Sequence, residues 1–356
     1  MAMIEDLEAL VKCESPTEDI SACKEVVELA ISIANRVTKK SAKVITENGR
    51  PVFWLGSDSP KIVLLAHLDT VWPIGSFRPL WKVEGDIAFG PGTFDMKAGF
   101  LQALYAIKDL SLDEIALIAT TDEETGSQTS KELIERISKK AKAVLVFEAS
   151  IDGKVKTGRK GTAMYRVTVN GRAAHAGLEP EKGVNATVEI ANQILNIIKL
   201  ENKELGTTVV PTSMSSGTTT NTVPASSSLD IDVRSFAKSE LIRVDQAIKN
   251  LKASLPEATL TITGGINRPP LEESSTLELY ELYEKSAQKL GRPKAGKIAV
   301  GGASDGNFAA AAGARVLDGL GAIGNGAHAL NEQISISGME SQSLLLTQFV
   351  KDLLSE

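Results

Sequence analysis

The sequence has few cysteines and no long hydrophobic run. Its two cysteines among 356 residues, Cys13 and Cys23, cannot build a disulfide framework, and we expect both to be buried thiols in a pair of N-terminal helices. No segment approaches the roughly eighteen uncharged apolar residues of a membrane span. The N-terminal stretch MAMIEDLEALVKCES carries acidic residues where a signal peptide would have a basic start. We therefore expect a cytoplasmic protein without a membrane partner.

Basic and aromatic residues are also scarce. Lysine and arginine number 39 against 45 aspartates and glutamates, the net charge is −6, and aromatic residues make up 4% of the chain. A surface that follows nucleic-acid phosphates needs clustered basic residues, and no basic run occurs. The sequence therefore predicts no nucleic-acid partner and favours a small molecule or a metal ion.

The length and the pattern of apolar residues predict two domains, because 356 residues exceed the size at which one core usually keeps growing. Across residues 61–148, strand-like runs such as KIVLLAHL and EIALIATT alternate with helical patterns, which predicts a mixed or parallel sheet covered by helices. Residues 161–266 instead show the order strand, helix, strand, strand, helix, strand, which is typical of ferredoxin-like folds. The first pattern then resumes. We predict a larger α/β domain of residues 1–157 and 267–356, interrupted by an inserted domain of residues 158–266.

The chain contains three histidines, and each lies among small or polar residues: His67 in LLAHLDTVWP, His175 in RAAHAGLEP and His328 in GNGAHALNE. A histidine considered alone is more often a structural hydrogen-bonding residue than a ligand. His67, however, is followed two residues later by Asp69, so both side chains leave the same face of the predicted strand. Asp69 can then accept the imidazole N–H, an arrangement that orients metal-binding histidines.

The segment TTDEETGS places Glu123 and Glu124 side by side after an apolar strand. Adjacent carboxylates repel each other, and both stay ionised in a folded site only if a cation or strong donors lie between them. An exposed surface turn is the alternative interpretation.

Two further acidic residues follow apolar or turn-forming segments. Asp95 in FGPGTFDMKAG would by itself be a helix N-cap, and Glu148 at the end of AVLVFEA needs a partner or solvent. We expect these acids, the glutamate pair and His67 to terminate strands of one sheet at the same edge. Because ligands bind at the carboxyl ends of strands in α/β sheets, this convergence predicts a functional site.

Five motifs in register, HLDTVWP, GPGTFDMKAG, DEETGS, FEA and GAH, resemble those of the dizinc exopeptidase family. That family includes glutamate carboxypeptidase, aminoacylase, acetylornithine deacetylase and succinyl-diaminopimelate desuccinylase. The resemblance covers nearly the whole chain, and HAGLEPEKGVNA is similar to the glutamate carboxypeptidase branch. It implies an α/β fold with a zinc-exopeptidase-like mixed sheet sandwiched by helices and an inserted ferredoxin-like α+β domain.

The resemblance implies two Zn²⁺ ions per chain, for which Co²⁺ or Mn²⁺ could substitute. The implied metal ligands are His67, Asp95, Glu124, Glu148 and His328. Asp95 would bridge the ions, with His67 and Glu148 on one ion and Glu124 and His328 on the other. Glu123 would be the general base, and Asp69 would orient His67. We expect residues 123 and 124 to lie in an extended segment, because alternating side chains would let one glutamate bind metal while the other faces the water.

The resemblance also implies roles for residues of the inserted domain. His175, often supplied by a partner subunit, would stabilise the oxyanion; a simple turn histidine is the alternative. Arg234 in LDIDVRSF and Arg268 in INRPPLEE match carboxylate-binding arginines, and Asn221 in TTTNTVP matches a lid asparagine. A guanidinium group binds a carboxylate bidentately, so the substrate should carry a free α-carboxylate. For Arg234, ion pairs with the acidic residues that alternate along its strand are the alternative.

These residues predict a zinc-dependent hydrolase that cleaves the amide bond of N-acyl or peptidyl amino acids, in the manner of glutamate carboxypeptidase. A metal-bridging water would attack, and Glu123 would serve as general base. A biosynthetic deacylase or a dipeptidase would share the same metal centre. An inactive metal-binding scaffold is the alternative from another class, and the presence of Glu123 argues against it.

Two further predictions concern assembly and a glycine motif. We expect a homodimer through the inserted domain, built from the strand edge after TAMYRVTVNG and a helical stripe of Ile190, Ile194, Ile197 and Ile198. The glycines of residues 319–324 match the spacing G-x-G-x-x-G, but no periodic helix or second β-α-β unit follows them. We predict no nucleotide binding and interpret these glycines as a flexible approach to His328.

Overall fold

The computed structural model describes residues 2–356. Their contacts define a larger unit, which runs to Gly158 and includes Glu273–Val300 and Ser304–Glu356, and a smaller unit of Arg159–Glu272 and Gly301–Ala303. The predicted boundary at residue 157 lies next to this division. The predicted boundary at residue 266 instead falls inside the last strand of the smaller unit, because that strand continues beyond the Gly264-Gly265 pair that marks the end of the sequence pattern.

The helices of residues 2–356 are α1 (Ala2–Lys12), α2 (Ile20–Thr38), α3 (Ala98–Ile107), α4 (Lys131–Ser138), α5 (Ala186–Ile197), α6 (Lys238–Lys249), α7 (Leu277–Lys289), α8 (Gly306–Ala311) and α9 (Ile336–Leu354). The strands of the same residues are β1 (Lys43–Glu47), β2 (Arg50–Gly56), β3 (Ile62–His67), β4 (Lys82–Glu84), β5 (Ile87–Phe89), β6 (Ile115–Thr120), β7 (Ala143–Val146), β8 (Val155–Arg159), β9 (Gly161–Asn170), β10 (Ala174–His175), β11 (Thr208–Ser216), β12 (Thr222–Val223), β13 (Ser226–Ser235), β14 (Thr259–Arg268), β15 (Lys297–Val300), β16 (Val316–Leu317), β17 (Gly324–Asn325) and β18 (Gln333–Ser335).

The larger unit is built on a mixed six-stranded sheet with the order β1-β2-β6-β3-β7-β16. Strands β6, β3, β7 and β16 are parallel, while β1 and β2 are antiparallel additions at one edge. Every residue of β3 and β6 is buried, as expected for strands covered on both faces. Helix α2 packs on β2, and α3 packs against α9, which also contacts α7. The predicted sheet between helices is confirmed.

A second sheet of the larger unit, with the order β17-β18-β5-β4, carries two segments of the candidate site. The turn that contains Asp95 follows β5, and the loop that contains His328 joins β17 to β18. Because β18 pairs with β5, the loop with His328 ends beside the point where the segment with Asp95 begins. The expectation that all the site acids follow strands of one sheet is therefore wrong for Asp95, whose segment comes from this smaller sheet.

The smaller unit is an antiparallel sheet with the order β11-β13-β9-β14, packed against α5 and α6. This is the predicted ferredoxin-like arrangement. The predicted strand edge after TAMYRVTVNG is wrong, however, because β9 pairs on both sides, with β13 and with β14. Alternating apolar residues mark a strand but do not give its place in the sheet. The exposed edges belong to β11 and β14.

The apolar stripe of α5 mostly packs on its own sheet. Ile190 and Ile197 are fully buried in the core of the smaller unit, and Ile194 is partly buried against it. Ile198 follows the helix with 43% of its surface exposed, and Leu195 is also exposed. The surface left for another subunit is therefore narrower than the stripe itself.

Both cysteines are free thiols. Cys23 is fully buried in α2, and burial raises the pKa of its thiol to about 12. Cys13 lies just after α1 and is only partly buried, which corrects the prediction for this residue. Among the helices of residues 2–356, none combines the length and the hydrophobicity needed to cross a membrane.

Candidate metal centre and associated residues

His67 is the last residue of β3, and contacts of its Nδ1 with Asp69 orient the imidazole ring. Its Nδ1 lies 3.0 Å from the backbone carbonyl oxygen of Asp69 and 3.4 Å from Asp69 Oδ1. The main-chain oxygen is therefore the nearer acceptor, a partner that the spacing in sequence did not predict. With Nδ1 engaged in this way, Nε2 faces Asp95 Oδ1 at 3.3 Å and Glu148 Oε1 at 3.7 Å.

Glu123 and Glu124 lie in a short 3-10 helix of residues Glu123–Thr125, not in the expected extended segment. With three residues per turn, neighbouring side chains in such a helix diverge by about 120°. Glu124 Oε2 lies 3.0 Å from His328 Nε2. A carboxylate oxygen of Glu123 instead groups with ligand atoms of His67 and Glu148, all within 4.8 Å of one another. The two glutamates thus face different parts of the centre, although by a different backbone geometry from the one predicted.

The first acid of the Asp122-Glu123-Glu124 run has a structural role. Asp122 is buried, and its Oδ2 accepts hydrogen bonds from Thr129 N at 2.8 Å and Ser130 N at 3.1 Å, just before α4 begins. These bonds satisfy N–H groups at the helix start and fix the loop after β6. Of the three consecutive acids, Asp122 therefore stabilises the loop, and Glu123 and Glu124 belong to the candidate site.

Asp95 lies between two histidines. Its Oδ1 is 3.3 Å from His67 Nε2, and its Oδ2 is 3.3 Å from His328 Nε2. It is not the N-cap of α3, since that position belongs to Lys97. His328 adopts a left-handed backbone conformation with a φ of 60° in the loop between β17 and β18. One carboxylate therefore joins a group with His67 and Glu148 to a second group with Glu124 and His328.

The histidines and carboxylates of this cluster favour each other's charged forms. Burial opposes ionisation of Asp95, but hydrogen bonds with His328 and His67 hold the pKa of Asp95 well below its usual range. Burial also disfavours the charged form of His67, yet hydrogen bonds to Asp69 and Asp95 raise its pKa well above the usual value. Hydrogen bonds with Asp95 and Glu124 raise the pKa of His328 to about 10. The cluster therefore attracts positive charge.

A further residue, Glu332, was missed in the sequence. It is 1% exposed, and its carboxylate accepts four hydrogen bonds. Oε1 accepts from Phe94 N at 2.9 Å and Asp95 N at 3.0 Å, while Oε2 accepts from Gly92 N at 2.9 Å and Trp72 Nε1 at 3.0 Å. Glu332 thereby holds the turn that carries Asp95. The only hint in the sequence was its position four residues after the candidate ligand His328. Three of its four partners are main-chain N–H groups, which every residue except proline has, so the residue types do not reveal them.

The glycines of residues 319–324 are packed, not flexible. Gly321 N donates to the carbonyl oxygen of Glu148 at 2.8 Å, and a Cβ at this position would lie 2.2 Å from the carbonyl oxygen of Phe147. Gly324 pairs with Ile334 in the β17-β18 hairpin. The motif therefore serves close backbone packing beside Glu148, which corrects the predicted flexible approach to His328.

His175 and Asn221 lie together in the smaller unit. Strands β10 and β12 pair His175 with Thr222, and Ala176 N donates to the carbonyl oxygen of Asn221 at 2.9 Å. Nδ1 of His175 accepts hydrogen bonds from Gly177 N and Leu178 N, both at 3.1 Å. The ring is exposed, and its Nε2 points away from these contacts.

Arg234 and Arg268 occupy one end of the sheet in the same unit. Both align with Thr162 of β9, Arg234 from β13 and Arg268 from β14. Arg268 is buried, whereas Arg234 is about one-third exposed and binds the carboxylate of Asp232 at 2.9 and 3.1 Å. The ion pair considered as the alternative for Arg234 is thus present.

The sequence matches the Peptidase family M20/M25/M40 over residues 63–352, and the chain belongs to this family. It is 32% identical over 377 residues to carboxypeptidase G2 of Pseudomonas sp. (strain RS-16), covering 99% of this chain and 89% of that protein. Succinyl-diaminopimelate desuccinylase of Hydrogenovibrio crunogenus is 25% identical over 332 residues, covering 84% of each chain. The structure of aminopeptidase PepT from Bacillus cereus ATCC 10987 has a TM-score of 0.78 at 21% identity, covering 99% of this chain and 98% of that one, a likeness of fold.

These matches confirm the predicted family, fold class and enzyme class. The chain is a metal-dependent hydrolase of the metallopeptidase type. Its larger unit also contains a group of histidine and acidic residues that can hold a metal ion.

Proposed function

We propose that the chain hydrolyses the amide bond of N-acyl or peptidyl amino acids that carry a free α-carboxylate, with two zinc ions as cofactor. The position of Asp95 between His67 Nε2 and His328 Nε2, at 3.3 Å from each, is the observation that carries this proposal. One carboxylate in this position can serve two metal ions at once. Two-metal sites of this kind are used by aminopeptidases and other hydrolases.

The donor atoms fit zinc, which binds imidazole nitrogen and carboxylate oxygen; cobalt and manganese accept similar ligands. His67, Asp95 and Glu148 would hold one ion, and Asp95, Glu124 and His328 the other. Bound ions would neutralise the clustered carboxylates and supply Lewis acidity toward the scissile carbonyl and a water molecule.

Glu123 would act as the general base. The ion at His67 and Glu148 would have Asp95 as its third ligand, and a carboxylate oxygen of Glu123 lies within 4.8 Å of ligand atoms of His67 and Glu148. A glutamate there can take a proton from the attacking water and deliver it to the nitrogen of the leaving amine. Asp69 supports this arrangement, since it contacts His67 Nδ1 and accepts hydrogen bonds from Glu123 N at 3.4 Å and Glu124 N at 3.1 Å.

His175 would donate a hydrogen bond to the oxyanion. Because two backbone N–H groups donate to its Nδ1, the neutral ring carries its proton on Nε2. An Nε2–H group is the donor that stabilisation of an oxyanion requires. We further propose that the smaller unit forms a homodimer and that His175 serves the partner subunit, with the exposed Leu195 and Ile198 as part of the contact.

The α-carboxylate of the substrate would bind Arg234 and Arg268. These residues align with Thr162 from opposite sides, so two strand spacings, about 10 Å, separate their backbones. Lys160 lies nearby, where burial and the charge of Arg234 lower its pKa. Such a concentration of cations favours an anionic group, which guanidinium groups bind bidentately. Asn221 would add a polar contact in the same unit.

The similarity to carboxypeptidase G2 supports the assignment of a carboxypeptidase-like substrate. The similarity to succinyl-diaminopimelate desuccinylase favours a second candidate, a biosynthetic deacylase of N-acyl amino acids. Both candidates use the same metal centre and differ in the acyl group that they accept.

The test combines metal analysis with a substrate panel. We expect about two metal ions per chain, release of amino acids from N-acyl and peptidyl conjugates, and little turnover when the α-carboxylate is amidated. Asp95→Ala should lose both ions, whereas His328→Ala should keep one. The exposed Glu132→Gln on α4 is the matched control and should keep metals and activity. Metal binding without turnover on any conjugate would indicate an inactive scaffold, and two retained ions in Asp95→Ala would rule out the bridging role.

A further inference from the structure

An open cavity of about 780 Å³ lies in the larger unit beside the candidate metal centre. Its wall comes from three segments, residues 16–20, residues 70–74 and residues 124–125. These segments directly adjoin the candidate ligands, since the second begins three residues after His67 and the third includes Glu124. The cavity therefore lies within reach of a group attached to a carbonyl at the candidate metal centre.

The wall of the cavity is largely apolar. Pro16, Ile20, Val71, Pro73 and Ile74 contribute to it. Ile20 is 51% exposed, Val71 37% and Ile74 60%, although most aliphatic side chains of this size are buried in the chain. A ligand that covers these side chains would gain about 25 cal/mol for each Å² of apolar surface removed from water. Patches of this kind next to a site mark surfaces that bind a ligand.

The charges around the cavity exclude an anionic occupant. Among the described residues that line it, none is lysine, arginine or histidine, whereas Glu18 and Asp19, which are not candidate ligands, are acidic. The N-terminus of α2 does not offer these N–H groups to an anion, because Ser21 N and Ala22 N donate hydrogen bonds to the carboxylate of Asp19, both at 3.0 Å.

Arg50 and Arg78, two cations on nearby segments, do not line the cavity. Arg50 donates to the carbonyl oxygens of Thr17 and Thr121 at 2.7 and 2.8 Å. Arg78 donates to the carbonyl oxygen of Phe77 at 2.9 Å. An α-carboxylate or a dicarboxylic acyl group would therefore lose its hydration in this cavity without gaining a cationic partner.

We propose that this cavity binds the acyl side of the substrate and selects an apolar, uncharged acyl group, aromatic or branched aliphatic. The assignment rests on the proposed function. An amide substrate has two sides across the scissile bond, and the side that carries the α-carboxylate needs cations that this cavity lacks. The opposite side needs only apolar contact. Cavities of roughly 300–1,000 Å³ are typical for small organic ligands, so the space is sufficient for a ring system.

The kinetic test uses one amino acid in a matched series of N-benzoyl, N-acetyl and N-succinyl conjugates and the corresponding dipeptide with a free amino group. We expect the highest kcat/KM for the benzoyl conjugate and the lowest for the succinyl conjugate. Ile74→Ser should lower kcat/KM for the benzoyl conjugate by about tenfold, the lower end of the effect of a lost apolar contact, and leave the acetyl conjugate nearly unchanged. The matched control is Leu344→Ser, an equally exposed aliphatic residue on α9.

A binding test separates this proposal from the proposed function. Spectra of methyl-labelled isoleucine are recorded while benzamide or succinamate is added, and neither probe requires turnover. Benzamide should shift the methyl signals of Ile20 and Ile74 to saturation, and succinamate should not. If these shifts occur but no conjugate is hydrolysed, the proposed function is refuted, whereas the cavity is still a site for an apolar ligand. Hydrolysis without the shifts, or a preference for succinyl or free-amino substrates, would overturn the assignment of the cavity.

Discussion

Replacement of Glu332 by glutamine tests whether one buried carboxylate holds the turn that carries Asp95. Its two oxygens accept four hydrogen bonds, from Trp72 Nε1 and from the backbone N–H groups of Gly92, Phe94 and Asp95. Glutamine keeps one acceptor oxygen and replaces the other with an NH₂ group, which cannot accept a hydrogen bond. Two buried N–H donors therefore lose their partner.

The magnitude follows from these two donors. Each buried donor without a partner costs about 1–3 kcal/mol, which gives a loss of about 2–6 kcal/mol. Part of this is recovered, because burial raises the pKa of Glu332 and thereby shows that its charged form is disfavoured, and glutamine removes that charge. We expect the free energy of unfolding to fall by about 2–4 kcal/mol, a large share of the roughly 5–15 kcal/mol typical of a protein. Metal affinity should fall about 10–100-fold, as it does when groups that orient a ligand are removed.

Urea unfolding in the presence of a chelator measures the first effect without a contribution from metal, and competition with a chromogenic chelator measures the second. Trp72→Phe removes one donor and leaves three for the carboxylate, so its loss should stay below about 1.5 kcal/mol. Glu132→Gln, exposed on α4, controls for the change of charge. If Glu332→Gln matched the wild type in both unfolding and metal affinity, the reasoning would be refuted.

Three further predictions address the proposed site. Glu123→Gln should keep its metal ions and lose most turnover, whereas Glu124→Gln should bind metal more weakly. Metal content and kcat are measured for both variants, and exchanged results would show that the two glutamates have the opposite roles. Arg234→Lys and Arg268→Lys should each raise KM for N-acyl amino acids about tenfold or more, because a lysine cannot bind a carboxylate bidentately, and should change little with amidated substrates. A mixture of inactive His175→Ala and Glu123→Gln chains should regain part of the activity after subunit exchange, and no recovery despite verified exchange would argue against a shared site.

The central strands and several site residues could be predicted because their signals are local. Strands β3 and β6 are fully buried, so their residues are apolar up to the last position, which is His67 in β3 and Thr120 in β6. Strand order and strand edges could not be predicted, since β9 and β14 both alternate apolar and polar residues while only β14 lies at an edge.

The remaining errors concern contacts between distant segments. Asp95 was expected beside the central sheet, but its segment follows β5 in a separate sheet, whose pairing with β18 involves residues near the C-terminus. The role of Glu332 depends on main-chain donors, which residue types do not reveal. The 3-10 helix at Glu123 also could not be predicted, because the following Gly126 has a φ of 94°, which permits a turn without specifying its type.

The hydrogen bond between Glu332 and Gly92 joins residues 240 positions apart in the sequence, and the whole stretch Arg159–Glu272 lies between them. That stretch has its own apolar core, so it can collapse early and shorten the loop that remains to be closed. His67 and Asp95 precede this stretch in the chain, whereas His328 and Glu332 follow it. A fragment that ends before residue 328 would therefore lack part of the proposed ligand set, and we expect it to bind metal more weakly than the full chain.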